Sequence, residues 1–178
     1  MNDDVVRQLV DKQQIAEALF RYCRGIDRCD VDLIRSAFYP EAVDDHGDNA
    51  MLAYEFAEHY VRERQAETEF AIHRVMNHLI ELDGDVAVSE AGVFSIQQVK
   101  GSSSTQFSSS RYLDRFERRD GDWKVAYRLV VHDWHGSAEL GPWELGTISA
   151  ANFVMGARGE NDVIIGGRDR LFRPIAKS

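Results

Sequence analysis

An α+β domain, helices first and an antiparallel meander of strands after them, is the fold class this sequence predicts, and three observations predict it. Apolar residues recur at helical spacing through most of the first 65 positions. The period then changes to two and holds through four successive runs, about 70–82, 86–99, 105–118 and 123–134. Turn signals separate those runs: Asp83-Gly84-Asp85 and Asp120-Gly121-Asp122 as tight hairpins, and Lys100-Gly101-Ser102-Ser103-Ser104 as a longer connection. Helices and strands in blocks, rather than in alternation, imply a curved sheet wrapped around the helices.

Taken in order, residues 5–27 read as one amphipathic helix. Leu9, Ala16, Leu19, Phe20, Cys23 and Ile26 gather on one arc, with Arg21, Arg24 and Arg28 opposite. Asp30 caps a short second helix carrying Leu33, Ile34 and Phe38, and Pro40 ends it. Residues 41–48 are too polar for a core strand and read as a short edge strand and loop. Leu52, Ala53, Phe56, Ala57, Tyr60 and Val61 mark a third helix over about 50–65. The last stretch mixes Gly141-Pro142, Trp143, Phe153-Val154-Met155 and Gly166-Gly167, a pattern that fits no single element. The division expected is a domain of residues 1–136 and an extension, 137–178, in the same structural unit. The extension's apolar residues are expected to cover the mouth of the domain or a neighbouring subunit.

Length and composition narrow the function. At 178 residues the chain suits one domain with a sizeable core. Hydrophobic residues at 44% and charged ones at 29% are ordinary globular values, and no apolar run is long enough to span a bilayer. A net charge of −9 repels both nucleic-acid backbones and anionic membranes, so neither is an expected partner, and a small molecule is. The only cysteines, Cys23 and Cys29, lack zinc-ribbon spacing, and the N-terminus carries no secretion signal. A soluble, cytoplasmic protein with reduced thiols is expected.

The residue that stands out is Asp27, an acid inside the apolar arc of the first helix. A buried carboxylate needs a partner, because burying it unpaired costs several kcal/mol. Either it caps the next turn, or it orients a histidine delivered by the sheet. The first strand supplies one: His73 shares a face with Val75, Asn77 and Leu79, so His73 can meet Asp27 and Asn77 can line the same wall. The alternative for His73 is a core histidine bonded to backbone. Tyr22, at the margin of the arc, reaches the same cavity as a proton donor or stands as a boundary tyrosine. On the last strand Arg128 lies among Ala126, Val130, His132 and Trp134, where it either steadies an oxyanion or forms a salt bridge inside the sheet. Phe20, Tyr112 and Val130 complete the expected substrate contacts. Asp44-Asp45-His46 and His132-Asp133-Trp134-His135 do not place three ligands on one face, so no metal is expected. No GxSxG turn accompanies Ser108, Ser109 and Ser110.

Several of these pieces together resemble the SnoaL-like branch of the nuclear transport factor 2 superfamily. They are Tyr22-x4-Asp27, the Phe38-to-Gly47 segment, His73-x3-Asn77, and Arg111-Tyr112-x-Asp114-Arg115-Phe116 followed by Gly121-Asp122-Trp123. The resemblance spans residues 5–136. It implies a cone of helices in a strongly curved sheet around an apolar pocket, and a homo-oligomer, a trimer by preference. Asp27 and His73 resemble the catalytic dyad of the hexachlorocyclohexane dehydrochlorinase, scytalone dehydratase and bile acid 7-alpha-dehydratase families. Tyr22 resembles the tyrosine of the bile acid enzymes where the dehydrochlorinases carry a lysine, which argues against dehalogenation. Arg128 resembles the arginine that the dehydrochlorinases place across their pocket. No counterpart of the further acid of the bile acid enzymes is found.

The expected function is a cofactor-independent lyase, a dehydratase acting on a hydrophobic cyclic alcohol of steroid-like or polyketide-like type. Asp27 holds His73, His73 removes a carbon-bound proton, Tyr22 protonates the departing hydroxyl and Arg128 steadies negative charge. The alternatives are a ring isomerase or cyclase using the same base, and a noncatalytic pocket protein.

Overall fold

The computed structural model describes residues 3–48, 50–139 and 156–166. Helix α1 (Asp3–Arg28) buries a stripe of Ile15, Leu19, Tyr22 and Ile26, flanked by Ala18 and Cys23. Residues spaced 4, 3 and 4 apart face the sheet on one side of a helix. Leu9 and Phe20, expected on that stripe, lie to its side and are exposed, as are Val5, Val6 and Val10 in the first two turns.

The end of α1 is built to stop directly after Asp27. Cys29 adopts a left-handed φ of 56°, its N–H donates to the Ile26 carbonyl at 3.4 Å, and the Asp30 N–H donates to the Gly25 carbonyl at 2.9 Å. That is a Schellman arrangement, with a cysteine where glycine is usual. Asp30 then accepts from the Leu33 N–H at 2.9 Å and caps α2 (Val31–Arg35). The capping task therefore belongs to Asp30, and Asp27 is free for another partner. Helix α2 stops before Phe38, which instead opens strand β1 (Phe38–Asp45).

Strand β1 is not an edge. It pairs antiparallel with the two-residue β2 (Met51–Leu52) and parallel with β6 (Asp122–Glu139), and Ala42 and Asp44 are fully buried. Its polar character misleads because the buried Asp44 is paired inside the fold. Helix α3 (Ala53–Glu67) leads into β3 (Thr68–Asp83), β4 (Val86–Val99), β5 (Ser104–Arg119) and β6, and the sheet runs β2-β1-β6-β5-β4-β3. Asp120 and Gly121, both at positive φ, make the tight β5–β6 turn. The Tyr39 hydroxyl ties that hairpin to β1, accepting from the Arg119 N–H at 3.0 Å and donating to the Asp122 carbonyl at 2.9 Å.

A bulge in β3 changes which residues face inward. Val75 pairs with Val93 and His78 with Ala91, so Met76 and Asn77 together oppose Gly92. Before the bulge Ala71, His73 and Val75 face the helices. After it the parity flips: His78, Ile80 and Leu82 turn in, while Leu79 turns out and is 69% exposed. Asn77 is consequently exposed and does not share the His73 wall. The even-numbered residues of β3 are likewise divided between its two faces, since Met76 is exposed while Ile80 packs against the core. A second bulge, between the Ser109–Trp134 and Ser110–His132 pairs, turns Trp134 outward.

Strand β6 runs through Gly136 to Glu139, across the boundary expected at residue 136. Within the extension, Arg158 donates to the Arg64 and Thr68 carbonyls at 3.1 and 2.8 Å, and Asp162 meets Arg28 at 2.9 Å. This segment thus packs where α1, α3 and β3 meet. Residues 140–155 and 167–178, with Trp143, Phe153 to Met155 and Gly167, lie outside the described residues. Among the described residues no helix is long and apolar enough to cross a membrane. Cys23 and Cys29 are free thiols, both buried.

Candidate active site

Asp27 and His73 meet across the α1–β3 contact. The Asp27 carboxylate accepts the His73 backbone N–H at 2.9 and 3.0 Å, and its Oδ1 lies 2.7 Å from Nδ1 of the His73 ring. With a carboxylate against it Nδ1 is the donor, and the neutral ring keeps its lone pair at Nε2. The aspartate side chain is 8% exposed and the histidine 15%, so the acid is enclosed while the ring stays reachable. Arg74 adds a distant charge, 3.9 Å from Asp27 Oδ2.

The His73 ring lines a cavity of about 150 Å³ inside the cone. Sheet register explains the lining. One cross-strand row carries His73, Ser95, Ser108 and His135, and the next carries Val75, Val93, Ser110 and His132. Tyr112 and Val130 pair in the row below and line the cavity as expected. Helix α3 contributes Tyr60 and Arg64, whose guanidinium stands 4.9 Å over the Tyr60 ring and bonds the Gln97 side chain at 2.8 Å. His46 completes the lining. Ser95, Gln97, Ser108 and His132 also line a wider cleft of about 670 Å³, so the chamber continues outward along β4, β5 and β6. This lining is richer in polar groups than the apolar pocket expected.

The other expected site residues divide. Phe20 lines a separate outer cleft between α1 and β3, beside the opposite side of the Asp27–His73 pair. Tyr22 is fully buried beneath the cavity and is not part of its lining. Its hydroxyl donates to Asp44 Oδ2 at 3.2 Å, and its ring packs edge-on against Phe38 and Tyr112. Burial, reinforced by the nearby Asp44 charge, pushes its pKa well above the usual phenol value.

Arg128 takes the salt-bridge alternative. It has no exposed surface, and its Nε and Nη2 each donate to Asp114 at 2.7 Å. Its guanidinium lies 4.2 and 4.3 Å from the Tyr22 and Tyr112 ring centres, and Nη1 has no hydrogen-bond partner among the described residues. Asp114 holds it charged against the desolvation that opposes it.

His46, Tyr60, Arg64, Ser110 and His132 are cavity residues that the sequence did not single out as a site. Alternation along β5 and β6 contains a signal for Ser108, Ser110 and His132. Nothing local marks His46, whose position depends on β1 joining the sheet interior. Among the described residues no cluster of three or more His, Cys, Asp or Glu side chains is placed to hold a metal.

No protein of curated function matches this sequence. Solved structures match in fold. A type 2 hexachlorocyclohexane dehydrochlorinase, LinA, superposes with a TM-score of 0.71 at 16% identity, over 80% of this chain and 99% of that one. A scytalone dehydratase candidate from Novosphingobium aromaticivorans gives 0.69 at 16% identity, over 79% and 94%. The type 3 dehydrochlorinase of Novosphingobium barchaimii gives 0.68 at 18% identity, over 75% and 93%. These likenesses establish a fold of the nuclear transport factor 2 type. Residues 7–129 match the SnoaL-like domain, which is well over half of the chain, and the protein belongs to that family.

Proposed function

We propose that this protein is a cofactor-independent lyase that removes water from a cyclic alcohol, with His73 as the base. The observation that carries the reading is the Asp27–His73 pair: a buried carboxylate fixes one ring nitrogen at 2.7 Å, and the ring lines an internal cavity. Asp27 selects the tautomer and stabilises the imidazolium formed when Nε2 takes a proton. An imidazole removes a carbon-bound proton most readily when a neighbouring carbonyl acidifies it, so the proposed substrate carries a carbonyl next to that carbon and the hydroxyl one carbon further. Arg64, rather than Arg128, is the cavity cation available to the developing enolate. The serine, glutamine and histidine lining favours an oxygen-rich, polyketide-like ring over a steroid. The homotrimer is part of this proposal, and Met76, Leu79 and Val88 on the outer face of β3 and β4 give it apolar surface. A monomeric mass in solution would remove that part.

The test is dehydration of cyclic β-hydroxyketones, beginning with 3-hydroxycyclohexanone, followed by the absorbance of the enone. The wild-type protein should turn over. His73→Ala should abolish turnover, and Asp27→Asn, which presents an amide to the ring, should lower it by about 10²- to 10⁴-fold. Folded His73→Ala protein with wild-type turnover would overturn the reading.

A further inference from the structure

An elimination that begins with a base also needs a proton for the departing hydroxyl, and Tyr22 does not reach the cavity to supply it. A second carboxylate–imidazole pair does. His46 Nε2 lies 3.0 Å from Asp44 Oδ1, at ion-pair distance although not aligned as a hydrogen bond, and the His46 ring lines the same cavity as His73. His46 follows β1 near one end of the sheet order and His73 sits in β3 at the other, with β6, β5 and β4 between them, so different parts of the fold bring the two rings to one cavity.

We propose that His46 is the general acid of this site, with Asp44 and Tyr22 as its positioning residues. The inference rests on the lyase reading above. Three further observations support it. The His46 ring is stacked on Phe56, with centroids 4.7 Å apart and planes 15° from parallel, which fixes its plane. Asp44 has no exposed surface, and the Tyr22 hydroxyl holds its second oxygen at 3.2 Å, leaving Oδ1 toward His46. The neighbouring Arg128 guanidinium is committed to Asp114, which leaves the His46 ring, 3.0 Å away, as the ionisable partner of the Asp44 Oδ1 atom. His132, the third imidazole of the cavity, has a serine hydroxyl behind it, with Ser110 Oγ 3.1 Å from its Nδ1, and among the described residues no carboxylate pairs with it.

The step balances without a co-reactant. His73 Nε2 takes the proton from the carbon beside the carbonyl, that C–H pair becomes the new C=C bond, and the C–O bond breaks. His46 gives its proton to the leaving oxygen, which departs as water. The two rings then return to their starting states by proton exchange with solvent.

Two probes separate acid from base: 3-hydroxycyclohexanone, whose hydroxyl leaves only when protonated, and 3-acetoxycyclohexanone, whose acetate leaves without help. Both give the same enone. His46→Gln and His46→Phe, checked for fold by circular dichroism, should lose about 10²- to 10⁴-fold on the hydroxy probe, the range of general acid catalysis, and no more than about tenfold on the acetoxy probe. His73→Ala should lose both reactions. A folded His46 variant that keeps the hydroxy reaction, or loses both equally, overturns the inference while the His73 reading stands. Retention of either reaction by His73→Ala overturns the reading beneath it. If neither His46 variant folds, the wild-type protein decides. Acid assistance keeps its hydroxy rate within about 10²-fold of its acetoxy rate, and a larger gap overturns the inference.

Discussion

Asp27 and Arg128 are both charged groups inside an apolar fold, and their surroundings assign them different tasks. Asp27 touches a ring that lines the cavity, so replacing it alters the tautomer and position of that ring. Arg128 touches Asp114 and three aromatic rings, so replacing it breaks a buried pair. Arg128→Met should therefore destabilise the protein by about 3–5 kcal/mol, the cost of leaving a buried carboxylate uncompensated, read as a fall in the urea midpoint. A folded Arg128→Met protein of wild-type stability that had lost only turnover would restore the oxyanion role. Tyr22→Phe belongs with Arg128: it strands Asp44 Oδ2 beneath the cavity and should cost about 1–3 kcal/mol, measured the same way.

At the scale of elements, the Asp27–His73 contact depends on how α1 ends. Gly25 lies where α1 meets α2, and a Cβ there would stand 2.7 Å from Ile34 Cγ1, 2.8 Å from the Ile34 backbone nitrogen and 3.1 Å from the Asp30 carbonyl. Backbone atoms cannot swing aside as a side chain does. Gly25→Ala should thus cost about 1–3 kcal/mol by overpacking, in spite of alanine's better helix propensity, and should displace Asp27 two residues on. Thermal unfolding checks the first effect and the ratio of turnover to folded protein the second. The same region shows what the sequence could reveal. The apolar arc exposed the anomaly of Asp27, and strand alternation placed His73 opposite it, because both inferences need only a regular helix and an unbroken strand. Asn77 failed because one bulge opposite Gly92 reverses the parity of everything after it, and no residue in β3 announces the bulge. Asp44 and His46 were missed for another reason. A strand rich in acids looks like an edge until the tyrosine beneath it and the arginine beside it in the sheet are brought in from 22 residues before and 84 residues after Asp44.

On the scale of the whole molecule, the curved sheet encloses an apolar belt and a polar layer, and acid stability follows from that mixture. His78 shows it most directly. The bulge turns His78 inward, where neither ring nitrogen has a hydrogen-bond partner among the described residues, into the row that carries Tyr112 and next to the row of Asp114 and Arg128. Desolvation lowers its pKa from the ordinary 6.5, the Arg128 charge lowers it further, and the Asp114 charge opposes both. The folded protein therefore resists protonating His78 at a pH where the unfolded chain takes the proton readily. The unfolded state binds more protons below about pH 6.5, so stability falls as the pH drops through that value toward the lower folded pKa, and the contribution is fully present above it. His78→Phe removes the titration and keeps a planar ring of similar volume. Urea midpoints of the two proteins, measured between about pH 8 and pH 5, should run parallel at the alkaline end and diverge on acidification, with the wild type losing more. Parallel curves throughout that range would mean that His78 finds solvent in the folded state, and that the cone is wetter below the bulge than its packing implies.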